Sequence, residues 1–243
     1  MFSFSGTLND FLMTNPRLAI YIGETHFFDK HFDKGFKWYR QQMPISSSDQ
    51  ITLEKTPTYS LKKGIAKLIH KMNPNTKLIF IACHPVKRLI SEYVQDTVLD
   101  KKFPPFEKAV FTKNGKVDVS YKGVWAGMYV NLLERFYAYF NKSQILILDG
   151  DAFITDPVPQ LNRVERFLGL EPVITTKDFV FDKEKGFFCR RVNGISKCMP
   201  KSKGRPHPKI PLRYLKILYK FYEPYNEKFY SLVGARFNWT ENF

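Results

Sequence analysis

Two periods of hydrophobicity alternate along the chain. Four short, β-rich runs are nearly continuous in apolar residues: RLAIYIGE at 17–24, ITLEKTPTY at 51–59, KLIFIACH at 77–84 and QILILDGD at 144–151. Such runs suit strands covered on both faces. Between them the period changes. Leu61, Ile65, Leu68, Ile69 and Met72 recur at helical spacing until Asn73-Pro74 stops them. A second helical stretch, 86–99, follows Pro85, and further ones read at 124–140, 157–168 and, basic and aromatic, about 211–233. Strands alternating with crossover helices predict an α/β domain of three layers around a central, mostly parallel sheet. No internal repeat interrupts the pattern. The Ser-rich stretch at 46–49 and the basic one at 201–209 read as surface loops, so residues 1–243 form one domain.

Composition leaves that picture intact and adds a partner class. Apolar residues are 44% of the 243 and charged residues 25%, which excludes a disordered or collagen-like chain. No apolar run approaches the roughly 18 residues of a membrane span. The first residues, MFSFSGTLNDFL, lack a basic region and meet Asp10, so they do not read as a signal peptide. Thirty-eight Lys and Arg against 23 Asp and Glu give a formal charge of +15. That surplus points to a polyanion: nucleic acid, an anionic membrane face or a sulfated glycan. No zinc-finger spacing or RNA-binding aromatic signature supports the first of these.

Cys189 and Cys198 flank RRVNGISK, with Asn193-Gly194 at its centre. Asn-Gly favours a tight reversal that brings the sulfurs together. Spacing alone leaves a bridge, and with it an oxidising compartment, and two free thiols both open. Asn141-Lys142-Ser143 and Asn238-Trp239-Thr240 are glycosylation sequons, a pattern that also arises by chance. Cys83 closes an apolar run and reads as a small buried residue.

Ligands gather at the carboxyl ends of parallel strands, and four chemically informative segments bear on that site. They are Glu24-Thr25-His26-Phe27-Phe28-Asp29, Glu54-Lys55-Thr56-Pro57, Cys83-His84-Pro85 with Arg88, Ser91 and Gln95 beyond it, and the loop Lys203-Gly204-Arg205-Pro206-His207. A carboxylate two residues from a histidine suits a general base and its orienting partner. Lys-Gly-Arg suits a phosphate. Taken singly, each is as well read as a solvated surface feature.

Their order is what makes them specific. Glu-x-His-Phe-Phe-Asp, Trp38-Tyr39, Glu-Lys-Thr-Pro-x-Tyr and Pro-x-x-Arg-x-x-Ser-x-Tyr resemble the sulfotransferase domain of heparan sulfate 3-O-sulfotransferases. The resemblance continues through Leu148-Asp149-Gly150-Asp151, Val164-Glu165-Arg166-Phe167-Leu168, Lys185-Gly186-Phe187-Phe188-Cys189 and Ser202-Lys203-Gly204-Arg205-x-His207-Pro208. It implies a P-loop-like sulfotransferase fold that moves a sulfuryl group from 3′-phosphoadenosine 5′-phosphosulfate to a glucosamine 3-hydroxyl of heparan sulfate, with no metal. By the same resemblance Glu24 matches the catalytic base, and His26 and Asp29 support it. Ser5, Gly6, Thr7, Ser91 and Lys203 to His207 match donor-binding positions. Lys55, Gln95 and Lys197 match glycan-contacting ones. A Cys189–Cys198 disulfide, glycans on Asn141 and Asn238, and a Golgi-lumen location follow as further implications.

Two departures stand against the pattern. Where the family has a strand leading into Lys-Gly-Gly-Thr-Arg, this chain reads Phe4-Ser5-Gly6-Thr7-Leu8, with no strand before it. Phe-Ser-Gly can be encoded by a pyrimidine-rich splice acceptor ending in CAG, so the expectation is that residues 1–5 are translated intron and the first strand lies upstream. Second, the family's Leu-Arg-Asp-Pro reads Ala82-Cys83-His84-Pro85, which puts Cys83 in place of a phosphate-binding arginine. A protonated His84 is the expected partial substitute for that charge. With Phe4, Leu8 and Cys83 at donor-contact positions, the alternative reading is a heparan-sulfate-binding relative that has lost donor binding.

Overall fold

In the computed structural model, residues 4–200 and 207–239 are described. The four apolar runs form strands, each shorter than its run: β1 (Leu18–Ile20), β2 (Ile51–Leu53), β3 (Leu78–Ala82) and β4 (Ile145–Asp149). β1 pairs with β2 and β3 with β4, both in parallel. The second run stops at Leu53 because Pro57, which has no N–H to give a ladder, opens a 3₁₀ turn over Pro57–Ser60.

Side-chain alternation explains the layering. Along β3, Ile79 and Ile81 face one apolar cluster, while Leu78 and Phe80 face another. β4 divides in the same way, Leu146 and Leu148 against Ile145 and Ile147. A strand apolar on both faces is stable only between two covering layers. Eleven helices among the described residues supply these: α1 (Ser5–Leu12), α2 (Phe27–Lys30), α3 (Gly35–Gln42), α4 (Ile65–Met72), α5 (Pro85–Leu99), α6 (Phe106–Val110), α7 (Lys122–Trp125), α8 (Tyr129–Tyr137), α9 (Gly150–Thr155), α10 (Pro157–Leu168) and α11 (Leu212–Val233). Leu8, Phe11 and Leu12 of α1 meet Leu161 and Val164 of α10 on one side of the sheet. Ile65 and Ile69 of α4 meet Leu132, Leu133 and Phe229 on the other. A third cluster joins α5 to α11 through Val86, Leu89, Leu218 and Tyr222.

Two differences from the expected pattern have physical causes. The helix expected over 124–140 is two, α7 and α8. Met128 leaves the helical region (φ −83°, ψ 66°), and Gly127 lies so close to the Tyr222 ring that an added Cβ would stand 2.9 Å from it. The second is an antiparallel sheet of β5 (Phe179–Asp182), β6 (Phe187–Val192) and β7 (Ile195–Lys197), whose apolar residues are interleaved with charge. Asn193 and Gly194 both have positive φ, 50° and 78°, as a two-residue hairpin requires. The pairing Val192↔Ile195 and Arg190↔Lys197 then sets Cys189 opposite Cys198, and the two form a disulfide with Cα atoms 4.4 Å apart.

Among the described residues no strand pairing joins β2 to β3. A cavity of about 630 Å³ lies between them.

Candidate active site

The carboxyl ends of β1 and β2 coincide because the strands are parallel and in register, Ile20 opposite Leu53. The residues that follow each therefore meet. Lys55 Nζ donates to Glu24 Oε1 at 2.6 Å, and His26 Nε2 lies 3.4 Å from Glu24 Oε2. His26 Nδ1 lies 3.1 and 3.2 Å from the two oxygens of Asp29. The Thr58 hydroxyl donates to Asp29 Oδ2 at 2.7 Å, and Lys62 donates to the Asp29 carbonyl at 2.8 Å. Lysine, glutamate, histidine, aspartate and threonine thus form one polar chain. The Asp29 side chain is 1% exposed, against 22% for His26, 15% for Glu24 and 19% for Lys55, so the chain is closed at Asp29 and opens to solvent along the other three.

The local sequence dictates this arrangement. His26 adopts the left-handed conformation, φ 49° and ψ 28°, in front of α2. Its neighbours hold it there: Thr25 shares a 2.9 Å hydrogen bond with the Tyr59 hydroxyl, and Phe27 stacks on Tyr39 at 4.4 Å. Burial alone would raise the Asp29 carboxyl, but hydrogen bonds from Thr58 and His26, with the charges of His26 and Lys62, hold it below its ordinary value. Glu54 behaves oppositely. Burial raises its carboxyl above the usual range, although Tyr39 and Thr56 donate hydroxyls to its two oxygens.

An imidazole between two carboxylates has limited options. With Nδ1–H donated to Asp29, a neutral ring leaves Nε2 able to accept a proton on the side of Glu24. As imidazolium it donates to both. Glu24 has one oxygen held by Lys55 and the other facing the ring.

The other expected site residues are distributed around this centre. Ser91 and Gln95 are half-buried on α5, about one turn apart and so on neighbouring parts of one face. Ser5, Gly6 and Thr7 form the first turn of α1, which has no side-chain cap, so backbone N–H groups are directed outward there. Leu8 is in the core at 6% exposure, and the Phe4 ring packs beside Gly150. These two positions supply apolar contact and no cation. Lys197 is exposed on β7, His207 is exposed, and Lys203, Gly204, Arg205 and Pro206 lie outside the described residues. Asn141 and Asn238 are exposed, while Thr240 lies outside the described residues.

The expectation for His84 needs correction. It is 2% exposed, its Nδ1 accepts from the Val86 N–H as the cap of α5, and its own N–H donates to Asp151 at 2.7 Å. Burial, with repulsion from Lys87, outweighs the attraction of Asp151 and lowers its pKa to about 4. It is neutral near pH 7 and replaces no lost charge. Cys83 is equally internal, its thiol pushed up to about 12 by burial and by Asp151.

Thr58 was not expected at the site. Thr58 follows Lys55 by three residues across a proline turn, and the turn itself was the available signal. Asp182 lies within 4.8 Å of the cysteine sulfurs, but those sulfurs are spent in the disulfide.

Residues 23–229 match the sulfotransferase domain family, so fold and site define a sulfotransferase domain. The chain is also similar along its length to a crystallised sulfotransferase from Alicyclobacillus acidocaldarius, with a TM-score of 0.71 over 97% of this chain and 93% of that one, at 16% identity. It is 39% identical over 236 residues to mouse heparan sulfate glucosamine 3-O-sulfotransferase 6, covering 96% of this chain and 69% of that protein. It is 40% identical over 237 residues to human heparan sulfate glucosamine 3-O-sulfotransferase 3B1, covering 96% and 61%. The chain belongs to the heparan sulfate glucosamine 3-O-sulfotransferase family. Among the described residues no helix is long and apolar enough to cross a membrane.

Proposed function

We propose that this chain transfers a sulfuryl group from 3′-phosphoadenosine 5′-phosphosulfate to the 3-hydroxyl of a glucosamine in heparan sulfate, with Glu24 as general base. The observation that carries the reading is the Lys55–Glu24–His26–Asp29 chain at the strand ends. In the step proposed, Glu24 takes the hydroxyl proton as that oxygen bonds to sulfur. The bond from sulfur to the phosphate oxygen breaks, and adenosine 3′,5′-bisphosphate departs opposite. Lys55 fixes the carboxylate, and Asp29 with Thr58 orients the imidazole beside it. Ser91 and the basic residues 203–207 are assigned to the nucleotide, and Gln95 and Lys197 to the glycan. A Golgi-lumen location fits this acceptor and the Cys189–Cys198 disulfide.

Replacing Glu24 with Gln keeps the shape and removes the base. Sulfate transfer, measured with labelled donor, is expected to fall at least a hundredfold while heparin retention stays within twofold. Full transfer by that variant removes Glu24 from its role.

The burial of Leu8 and Cys83 favours a second reading, a glycan-binding relative impaired in donor binding. Calorimetry with adenosine 3′,5′-bisphosphate separates the two. Heat of binding supports the enzyme; heparin affinity with no nucleotide binding supports the relative.

A further inference from the structure

The segment that follows the polar chain of the site carries an aromatic patch that the transfer step does not use. Phe27 comes directly after His26, and its ring lies 5.4 Å from Phe32 and 5.7 Å from Phe36. Phe32 and Phe36 are 5.9 Å apart and nearly perpendicular, so the three rings close a triangle. Phe27 is fully buried at its base, while Phe32 and Phe36 keep 36% and 44% of their surface in water. Single exposed apolar side chains are ordinary. Two in contact, braced by a buried third, make a patch of the kind that meets a ligand. Trp38 and Tyr39 tie α3 to the core, but no residue of α3 is buried, and Phe36 lies on this surface helix.

Charge around the patch selects its occupant. Between 30 and 40 the chain carries Lys30, Lys34, Lys37 and Arg40 against Asp33 alone, and all five are exposed. The Lys34 ammonium stands 4.6 Å from the centroid of the Trp38 ring, which itself stacks on Phe27 at 6.2 Å. A partner must therefore bring apolar surface to the rings and anionic groups to the rim. A sulfated sugar brings both, since C–H bonds cover the faces of its pyranose ring and its sulfates and carboxylates project from the edge. An anionic membrane fits less well. Two rings that are each more than half covered give it little to insert, and Asp33, next to Phe32, would be pressed against a negative surface. We propose that Phe32 and Phe36, with Lys34 and Lys37, form a further saccharide subsite that holds the acceptor chain beyond the sugar presented to Glu24. The place of that sugar rests on the sulfotransferase reading; the binding itself rests on the rings and the charges.

The test is calorimetric titration of the chain with a heparin dodecasaccharide. The double variant Phe32→Ser with Phe36→Ser is expected to bind at least about tenfold more weakly than the parent, two ring contacts having been lost. Phe32→Tyr with Phe36→Tyr keeps both rings and is expected to stay within about twofold. Lys34→Gln with Lys37→Gln is expected to lower the slope of log affinity against log salt by about two. Unchanged affinity in the serine variant overturns the proposal, as does an equal loss in the tyrosine variant or an unaltered slope in the glutamine one. If the serine variant is not fully folded, Phe36→Leu keeps the helix and the apolar bulk without the ring face, and unchanged affinity there overturns it. Sedimentation with phosphatidylserine–phosphatidylcholine vesicles tests the membrane. Ring-dependent sedimentation beside ring-independent oligosaccharide affinity overturns the saccharide in its favour. Transfer is not read in any arm, so the two readings fail separately. Ring-dependent binding by an inactive chain supports the subsite and counts against the transfer reading, and ring-independent binding by an active chain does the reverse.

Discussion

A histidine in the left-handed region is uncommon, and His26 is there because buried neighbours on both sides leave it no alternative. The result is an imidazole, two residues beyond Glu24, held by an aspartate whose carboxyl sits below its ordinary value of 3.8. A depressed carboxyl stabilises the fold fully above the unfolded value, and the contribution fades as pH falls through the lower folded one. Glu54 has the opposite sign. Its raised carboxyl favours the folded state most below its ordinary value of 4.5, and that preference is lost as pH rises through the folded value. Asp29→Asn is therefore expected to lower stability at pH 7, and Glu54→Gln to maintain or raise it, in urea unfolding followed from pH 4 to 7. Equal losses from both would contradict the opposed shifts. Glu24, His26 and Asp29 were legible in the sequence because their spacing is local. Thr58 was not, because its role depends on how a proline turn folds back on α2.

At the scale of elements, legibility follows from what sets each boundary. α10 begins at Pro157 and ends at Gly169 in the left-handed region, both local signals, and its limits were readable to the residue. The break between α7 and α8 was not, because its cause is the Tyr222 ring, about 95 residues away in sequence. Tyr222 is fully buried and donates its hydroxyl to the Val124 carbonyl at 2.7 Å. Gly127→Ala forces that ring to move and is expected to cost about 1–3 kcal/mol, the usual range for overpacking. Glu165 provides a second case. It is fully buried, and one of its oxygens accepts from Asn15 at 2.8 Å and from the Val173 and Ile174 amides at 3.1 and 3.3 Å. It ties the turn after α1 to the segment after α10. Glu165→Ala leaves two buried donors, on Asn15 and Ile174, without their acceptor and is expected to cost at least about 2 kcal/mol, at about 1–3 kcal/mol for each unsatisfied group. Chemical unfolding of both variants checks these values, and a loss under 0.5 kcal/mol in either would remove its proposed cause.

For the whole molecule, the +15 charge belongs to the surface and to any polyanion it meets, while the fold is set by the apolar layers. The internal cations illustrate the separation. Arg88 is buried with Glu92, and Arg190 is paired with Asp10 at 3.2 Å, so neither adds to a binding face. Exposed cations such as Lys197 on β7 are the ones a sulfated glycan can reach. Binding through them releases counterions, so log affinity should fall linearly with log salt. A surface neutralising about four sulfates should lose on the order of a thousandfold in affinity for each tenfold rise in salt. Lys197→Ala is expected to reduce the slope by about one and leave the affinity at high salt nearly unchanged. Titration of a heparin oligosaccharide at several sodium chloride concentrations measures both. A slope unaltered in the variant would exclude Lys197 from the glycan surface. A slope near zero in the parent would mean that the surplus charge is not what holds the polysaccharide.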